Sequence, residues 1–106
     1  IEMRAGETDL GETVSASPFE ELAKSLSHTL RHEVILSVDC FMCKDGIYIT
    51  EMNCRISGHY PLSHLAGVNL PKQIIRWANG EGTDETLLQF KEGLFITKEL
   101  IPTIVK

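Results

Sequence analysis

Asp39, Glu51, Asn53 and Arg55 stand in or just after two apolar and β-branched runs, at 34–42 and 47–53. Polar side chains inside strands need a reason. Two carboxylates and an amide oxygen form a hard donor set, which suits Mg²⁺ or Mn²⁺ and not zinc. Mg²⁺ takes one or two carboxylates and completes its shell with water and substrate phosphates. Arg55 could hold a phosphate or carboxylate oxygen in a bidentate fork. The set therefore reads as a metal–nucleotide site on a sheet. Against this, an acidic residue on a strand is most often part of its solvated face. A shared face, followed by an arginine and the break at Ser57-Gly58, favours the site for the set as a whole.

Positioning these groups is the task of a β-hairpin. The runs at 34–42 and 47–53 flank the turn signal Lys44-Asp45-Gly46. A slip of one residue moves a strand's side chains to the other face, so register decides whether the set meets. A two-residue loop at Asp45-Gly46 would pair Asp39 with Met52. A three-residue loop, Lys44-Asp45-Gly46, pairs Asp39 with Glu51 and puts Gly46 where a left-handed residue is needed. The second register is the expectation. Asp39, Glu51 and Asn53 then share a face with Phe41, Cys43, Ile47 and Ile49, an apolar strip on which a purine could lie. Val38, Cys40, Met42, Tyr48, Thr50 and Met52 take the opposite face, free to pack on helices.

The remaining elements frame this hairpin. Residues 1–16 are polar, with Gly6 and Gly11, and read as a loop or an edge strand. Ser17-Pro18-Phe19-Glu20 is a helix start, with Ser17 as cap and Glu20 closing a capping box. Phe19, Leu22, Ala23, Leu26 and Leu30 recur at helical spacing and predict a helix ending near 31–33. Pro61 starts a short helix closed by Gly67, and Leu70-Pro71 starts another running to Asn79-Gly80. Residues 81–85 are loop. Two strands are predicted at 87–90 and 94–97, around Glu92-Gly93, and Pro102 weakens any strand beyond.

The chain has 106 residues, 42% hydrophobic and 24% charged, with a net charge of −5. This suits a single domain spanning 1–106 with a small core and excludes a disordered chain. Scattered Lys and Arg argue against nucleic acid as a partner. No run nears the ~20 apolar residues that cross a bilayer, so no membrane partner is expected. No signal peptide is visible. The first residue is Ile1, which suggests a piece of a longer protein. The three cysteines, Cys40, Cys43 and Cys54, are too few and odd in number for a disulfide scaffold, so the expected compartment is the cytoplasm. Cys40 and Cys43 lie on opposite faces of a strand, which disfavours chelation. Cys54 and His59 would complete only a nominal zinc set, and buried free thiols are the simpler reading. The same plain reading holds for His28, His32 and His64, as structural or surface residues, and for Trp77, as core.

Three stretches carry a family resemblance: V-D-C-F at 38–41, D-G-I-Y-I-T-E-M-N-C-R at 45–55 and G-H-Y-P-L-S-H-L-A-G at 58–67. Residues 34–80 resemble the C-terminal part of an ATP-grasp domain, near the carbamoyl-phosphate synthase large-subunit and biotin carboxylase branch. The family's E-x-N-x-R signature stands here as Glu51, Asn53 and Arg55. Its upstream acidic ligand falls twelve residues before that Glu, at Asp39.

The resemblance implies a fold and a set of roles. The fold is α+β, an antiparallel sheet with helices on one face, as the C-terminal half of an ATP-grasp fold. Asp39 and Glu51 would hold Mg²⁺ (or Mn²⁺) against the ATP phosphates, with Glu51 bridging two ions and Asn53 on the second. Arg55 would contact the phosphoryl group or the acyl phosphate, and Phe41 the adenine. The activity would be ATP-dependent ligation of a carboxylate to a nucleophile through an acyl phosphate. His59 stands where biotin carboxylase-like members carry an acidic base, and a base or a substrate contact is one reading of it. The lysines and Gly-rich loop that cover the phosphates would come from the rest of the protein, so this stretch alone is expected to be inactive. The alternative is a non-catalytic nucleotide- or partner-binding module of the same fold. Self-association through the exposed apolar strip, giving a homo-oligomer, is plausible on the same grounds.

Overall fold

The computed structural model describes residues 2–4, 7–99 and 101–106. Among them are β1 (Glu2–Arg4), β2 (Glu7–Glu12), α1 (Glu20–Leu30), β3 (Ser37–Cys43), β4 (Gly46–Asn53), α2 (Tyr60–Leu65), α3 (Leu70–Ala78) and β5 (Phe95–Thr97). Single 3-10 turns lie at Ser17–Phe19 and Glu85–Leu87. The class is α+β, and all strand pairing is antiparallel. The strands are divided between two sheets, one of order β1-β2-β5 and one formed by β3 and β4. The chain forms two compact units, 16–57 and 1–15 with 58–106.

In the unit 16–57, α1 follows the apolar spacing, but its start differs from the capping box. The first turn is 3-10, Ala16 takes the N-cap position, and neither N-cap makes a side-chain bond. Pro18 keeps its place in the first turn, where its missing N–H costs nothing. The helix stops at Arg31, which adopts the left-handed conformation at φ 48°.

The other unit is held by α2, α3 and the segment after them. Pro61 and Pro71 each stand in the first turn of a helix. The Asn69 side chain caps α3 by accepting the Lys72 N–H at 3.1 Å. Leu62 and Gln73 are the buried residues of these helices, joined by Ala66 at the C-cap of α2. Gln73 is fully buried and solves two backbone problems at once. Its Nε2 donates to the Gly82 carbonyl at 3.4 Å, and its Oε1 accepts the Asp84 N–H at 2.8 Å. The loop 82–84 is thus fastened to α3.

The strand predicted at 87–90 does not form. Its backbone is committed elsewhere: the Leu87 carbonyl accepts the Asn69 N–H at 2.7 Å, and just beyond the segment the Lys91 N–H donates to the Ala66 carbonyl at 2.8 Å. Asp84 starts a 3-10 turn there by accepting from the Thr86 N–H at 3.0 Å. Of the second predicted strand, Phe95–Thr97 pairs with β2. Residues 1–16, read as a loop or edge strand, contribute β1 and β2, while Gly6 lies outside the described residues. At the end of β2, Thr13 receives the Gly93 N–H on its carbonyl at 2.6 Å and the Leu94 N–H on its Oγ1 at 2.9 Å. Residues 101–106 have no regular structure.

Candidate functional site

The site residues of the unit 16–57 depend on the register of β3 and β4. Asp39 lies opposite Glu51, and Ser37 opposite Asn53. The expected pairing is therefore present, but it is reached by another route. Cys43 pairs with Gly46, so only Lys44 and Asp45 are unpaired. The turn is one residue shorter than the expected three-residue loop. From there Phe41 faces Tyr48 and Cys40 faces Ile49. An irregularity between Asp39 and Cys40 then admits Thr50 as an extra residue on β4. The Thr50 hydroxyl donates to the Asp39 carbonyl at 3.1 Å and fastens the bulge. Without the bulge Asp39 would face Thr50, and Glu51 would fall opposite Val38.

This route corrects the composition of the two faces. Cross-strand partners share a face. Tyr48 joins Asp39, Phe41, Glu51 and Asn53, while Ile47 and Ile49 move across to join Val38, Cys40, Met42 and Met52. The strip beside the carboxylates is thus aromatic, with Phe41 67% and Tyr48 53% exposed. The Tyr48 hydroxyl donates to Asp45 Oδ2 at 2.7 Å, fixing the ring over the turn. That bond, and to a lesser degree burial, hold the phenol above its ordinary value.

Asp39 and Glu51 are exposed, and Asn53 is half-buried. Asn53 Nδ2 donates to Glu51 Oε1 at 2.7 Å, so the amide orients the carboxylate two residues before it on one face. The donor set fits a hard divalent cation: two carboxylates on facing strands and an amide whose carbonyl oxygen is not the atom bonded to Glu51. Arg55 is exposed just beyond β4, and its Nη1 donates to the Ile56 carbonyl at 3.2 Å. The structure thus brings Asp39, Glu51, Asn53 and Phe41 to one hairpin face and puts Arg55 at its end. His59 belongs to the other unit, at the N-cap of α2, where its carbonyl accepts the Leu62 N–H at 3.0 Å. The cysteines are free thiols, with Cys40 half-buried and Cys43 and Cys54 exposed.

Residues 3–99 match the model of a family described as ATP-grasp in the biosynthetic pathway with Ter operon. The chain belongs to this ATP-grasp family. No curated protein matches it. Among the described residues, no helix is long and apolar enough to cross a membrane.

Proposed function

We propose that the β3–β4 hairpin supplies the metal- and phosphate-binding part of an ATP-dependent carboxylate ligase. The observation that carries this reading is the bulged register that sets Asp39 opposite Glu51, with Asn53 bonded to Glu51, in a chain of an ATP-grasp family. Asp39, Glu51 and Asn53 would hold Mg²⁺, with Glu51 shared between two ions and Asn53 on the second. When bound, the metal neutralises charge on the transferred phosphoryl group. Phe41 would contact the adenine. Arg55 would leave the Ile56 carbonyl to bind the phosphoryl group or the acyl phosphate bidentately. His59 would act as a base or a substrate contact. In the reaction a substrate carboxylate attacks the γ-phosphorus of ATP and ADP leaves. An amine or other nucleophile then displaces phosphate from the acyl phosphate. The branch near the carbamoyl-phosphate synthase large subunit is supported by the strings at 38–41, 45–55 and 58–67. The phosphate-covering lysines and Gly-rich loop would come from other segments of the protein.

The test uses the longest natural protein that contains these residues. Mg²⁺-dependent ADP release from ATP is measured against pooled carboxylates and amines, with Glu51→Ala as control. ADP formation that needs a carboxylate and disappears in the variant is the expected result. AMP formation would sink the acyl-phosphate mechanism. Nucleotide binding without turnover would favour the non-catalytic module.

A further inference from the structure

A second polar junction lies in the other unit, at the start of α2, and does not depend on the chemistry of the hairpin. The hydroxyl of half-buried Tyr60 meets three groups. It is 2.8 Å from His64 Nδ1, one helical turn on, and 3.1 Å from the Val68 carbonyl oxygen. The Leu70 N–H, at the first residue of α3, points at it from 3.1 Å. The His64 ring stands edge-on to the phenol, with centroids 5.6 Å apart and planes at 69°.

Hydrogen-bond valence decides how these contacts are arranged. A phenol has one hydrogen to give and accepts through its oxygen. A carbonyl oxygen accepts only, so the Tyr60 hydrogen goes to Val68. The Leu70 N–H donates only, so it occupies one side of the Tyr60 oxygen. The remaining contact, at 2.8 Å, is satisfied when His64 Nδ1 carries a hydrogen and donates it. The reverse arrangement, with Tyr60 donating to Nδ1, would leave two oxygens facing each other at 3.1 Å with no hydrogen between them. That costs a part-buried carbonyl its partner.

We infer that Tyr60 fixes the neutral His64 ring as the Nδ1–H tautomer, which leaves Nε2 as an acceptor for an N–H or O–H donor of a bound molecule. A neutral imidazole carries one ring hydrogen, so the bond made at Nδ1 also fixes the state of Nε2. His64 is exposed, so the ring is positioned from within and open to solvent. Tyr60 is the positioning residue. It ties the start of α2 to the start of α3 through Val68 and Leu70 and turns that tie into an orientation for His64.

The test is nuclear magnetic resonance of the full natural protein with ¹⁵N-labelled histidine, correlating ring nitrogens with ring C–H protons in the neutral imidazole. His64→Gln identifies the signals. The expected pattern has Nδ1 protonated and Nε2 bare, and it is lost in Tyr60→Phe. A wild-type ring protonated at Nε2, or averaging between the two tautomers, overturns the inference. So does an Nδ1–H pattern that persists in Tyr60→Phe. The wild-type spectrum decides even if that variant does not fold. Diethyl pyrocarbonate reads the second half, because it acylates a bare, reachable ring nitrogen. Modification of His64 at Nε2 is expected, and a His64 that resists it overturns the acceptor role.

Discussion

The β3–β4 hairpin and the α2–α3 segment solve the problem of holding polar groups in opposite ways. On the hairpin the polar groups are mostly exposed, and backbone register puts them together, helped by short-range bonds from Thr50 and Asn53. In the helical segment, partly or fully buried side chains bond backbone groups across 8–11 residues of sequence. Tyr60 does so to Val68 and Leu70, and Gln73 to Gly82 and Asp84. The first arrangement leaves donor atoms open for a ligand. The second uses up its donors and acceptors to fix chain segments. Substitutions should therefore cost stability in the helical segment, and activity with little loss of stability on the hairpin.

Leu62→Ala gives the largest expected loss of stability, about 2–5 kcal/mol, because Leu62 is buried and its removal leaves a cavity. Gln73→Leu should cost about 1–3 kcal/mol in all, because the two backbone groups it leaves unpaired are only part-buried. Thermal or urea unfolding reads both. The hairpin's counterpart is Glu51→Ala. It should lower Mg²⁺-dependent turnover roughly a hundredfold or more while shifting stability by no more than about 0.5 kcal/mol. An equal loss of stability from Glu51→Ala would erase the contrast.

Gly67→Ala sharpens it further. Gly67 has φ +126°, and a Cβ there would come within 3.0 Å of the Gln89 carbonyl oxygen. A loss of about 1–3 kcal/mol is expected from the strained conformation. The smallest expected effect is one of pH, and it has opposite sense in the two regions. The Thr86 hydroxyl and then its backbone N–H hold the Asp84 carboxyl below its ordinary value, with Arg76 and Lys72 adding to them. Its folded value is depressed, so its contribution is present above the unfolded value and is lost as pH falls through the folded one. Tyr48 is raised, chiefly by Asp45, so its contribution is present below the unfolded phenol value and is lost as pH rises through the folded one. Asp84→Asn should flatten the acid limb of a stability–pH curve, and Tyr48→Phe the alkaline limb. Both groups are on the surface, so both changes are small.

The hairpin, its candidate residues and the helix starts at Pro61 and Pro71 were legible in residue type and spacing. Asp39 was expected opposite Glu51 and is found there. The expectation held because a shorter turn and an extra residue cancel. Thr50 carries no mark of a bulge, since a β-branched residue suits a regular strand equally well. Tyr48 lies on the face opposite to the one expected, for the same reason. The strand expected at 87–90 fails because its alternation is a local signal, whereas Leu87 and the adjoining Lys91 bond to Asn69 and Ala66, some twenty residues away. Gln73 gives no signal in the sequence, because a polar residue on an amphipathic helix ordinarily faces water. Its burial follows from two backbone groups that no periodicity reveals.

The extra residue at Thr50 also bears on how such a hairpin can change. Insertions and deletions in a turn normally scramble every pair beyond it. Here the turn and the carboxylate pair are separated by a place that can take up one residue. A turn longer by one, combined with loss of Thr50, would still leave eleven residues between Asp39 and Glu51 and keep them face to face. Turn length and site geometry can then drift independently across relatives. A search for kindred hairpins should match the interval between the acidic residues and leave the turn sequence free.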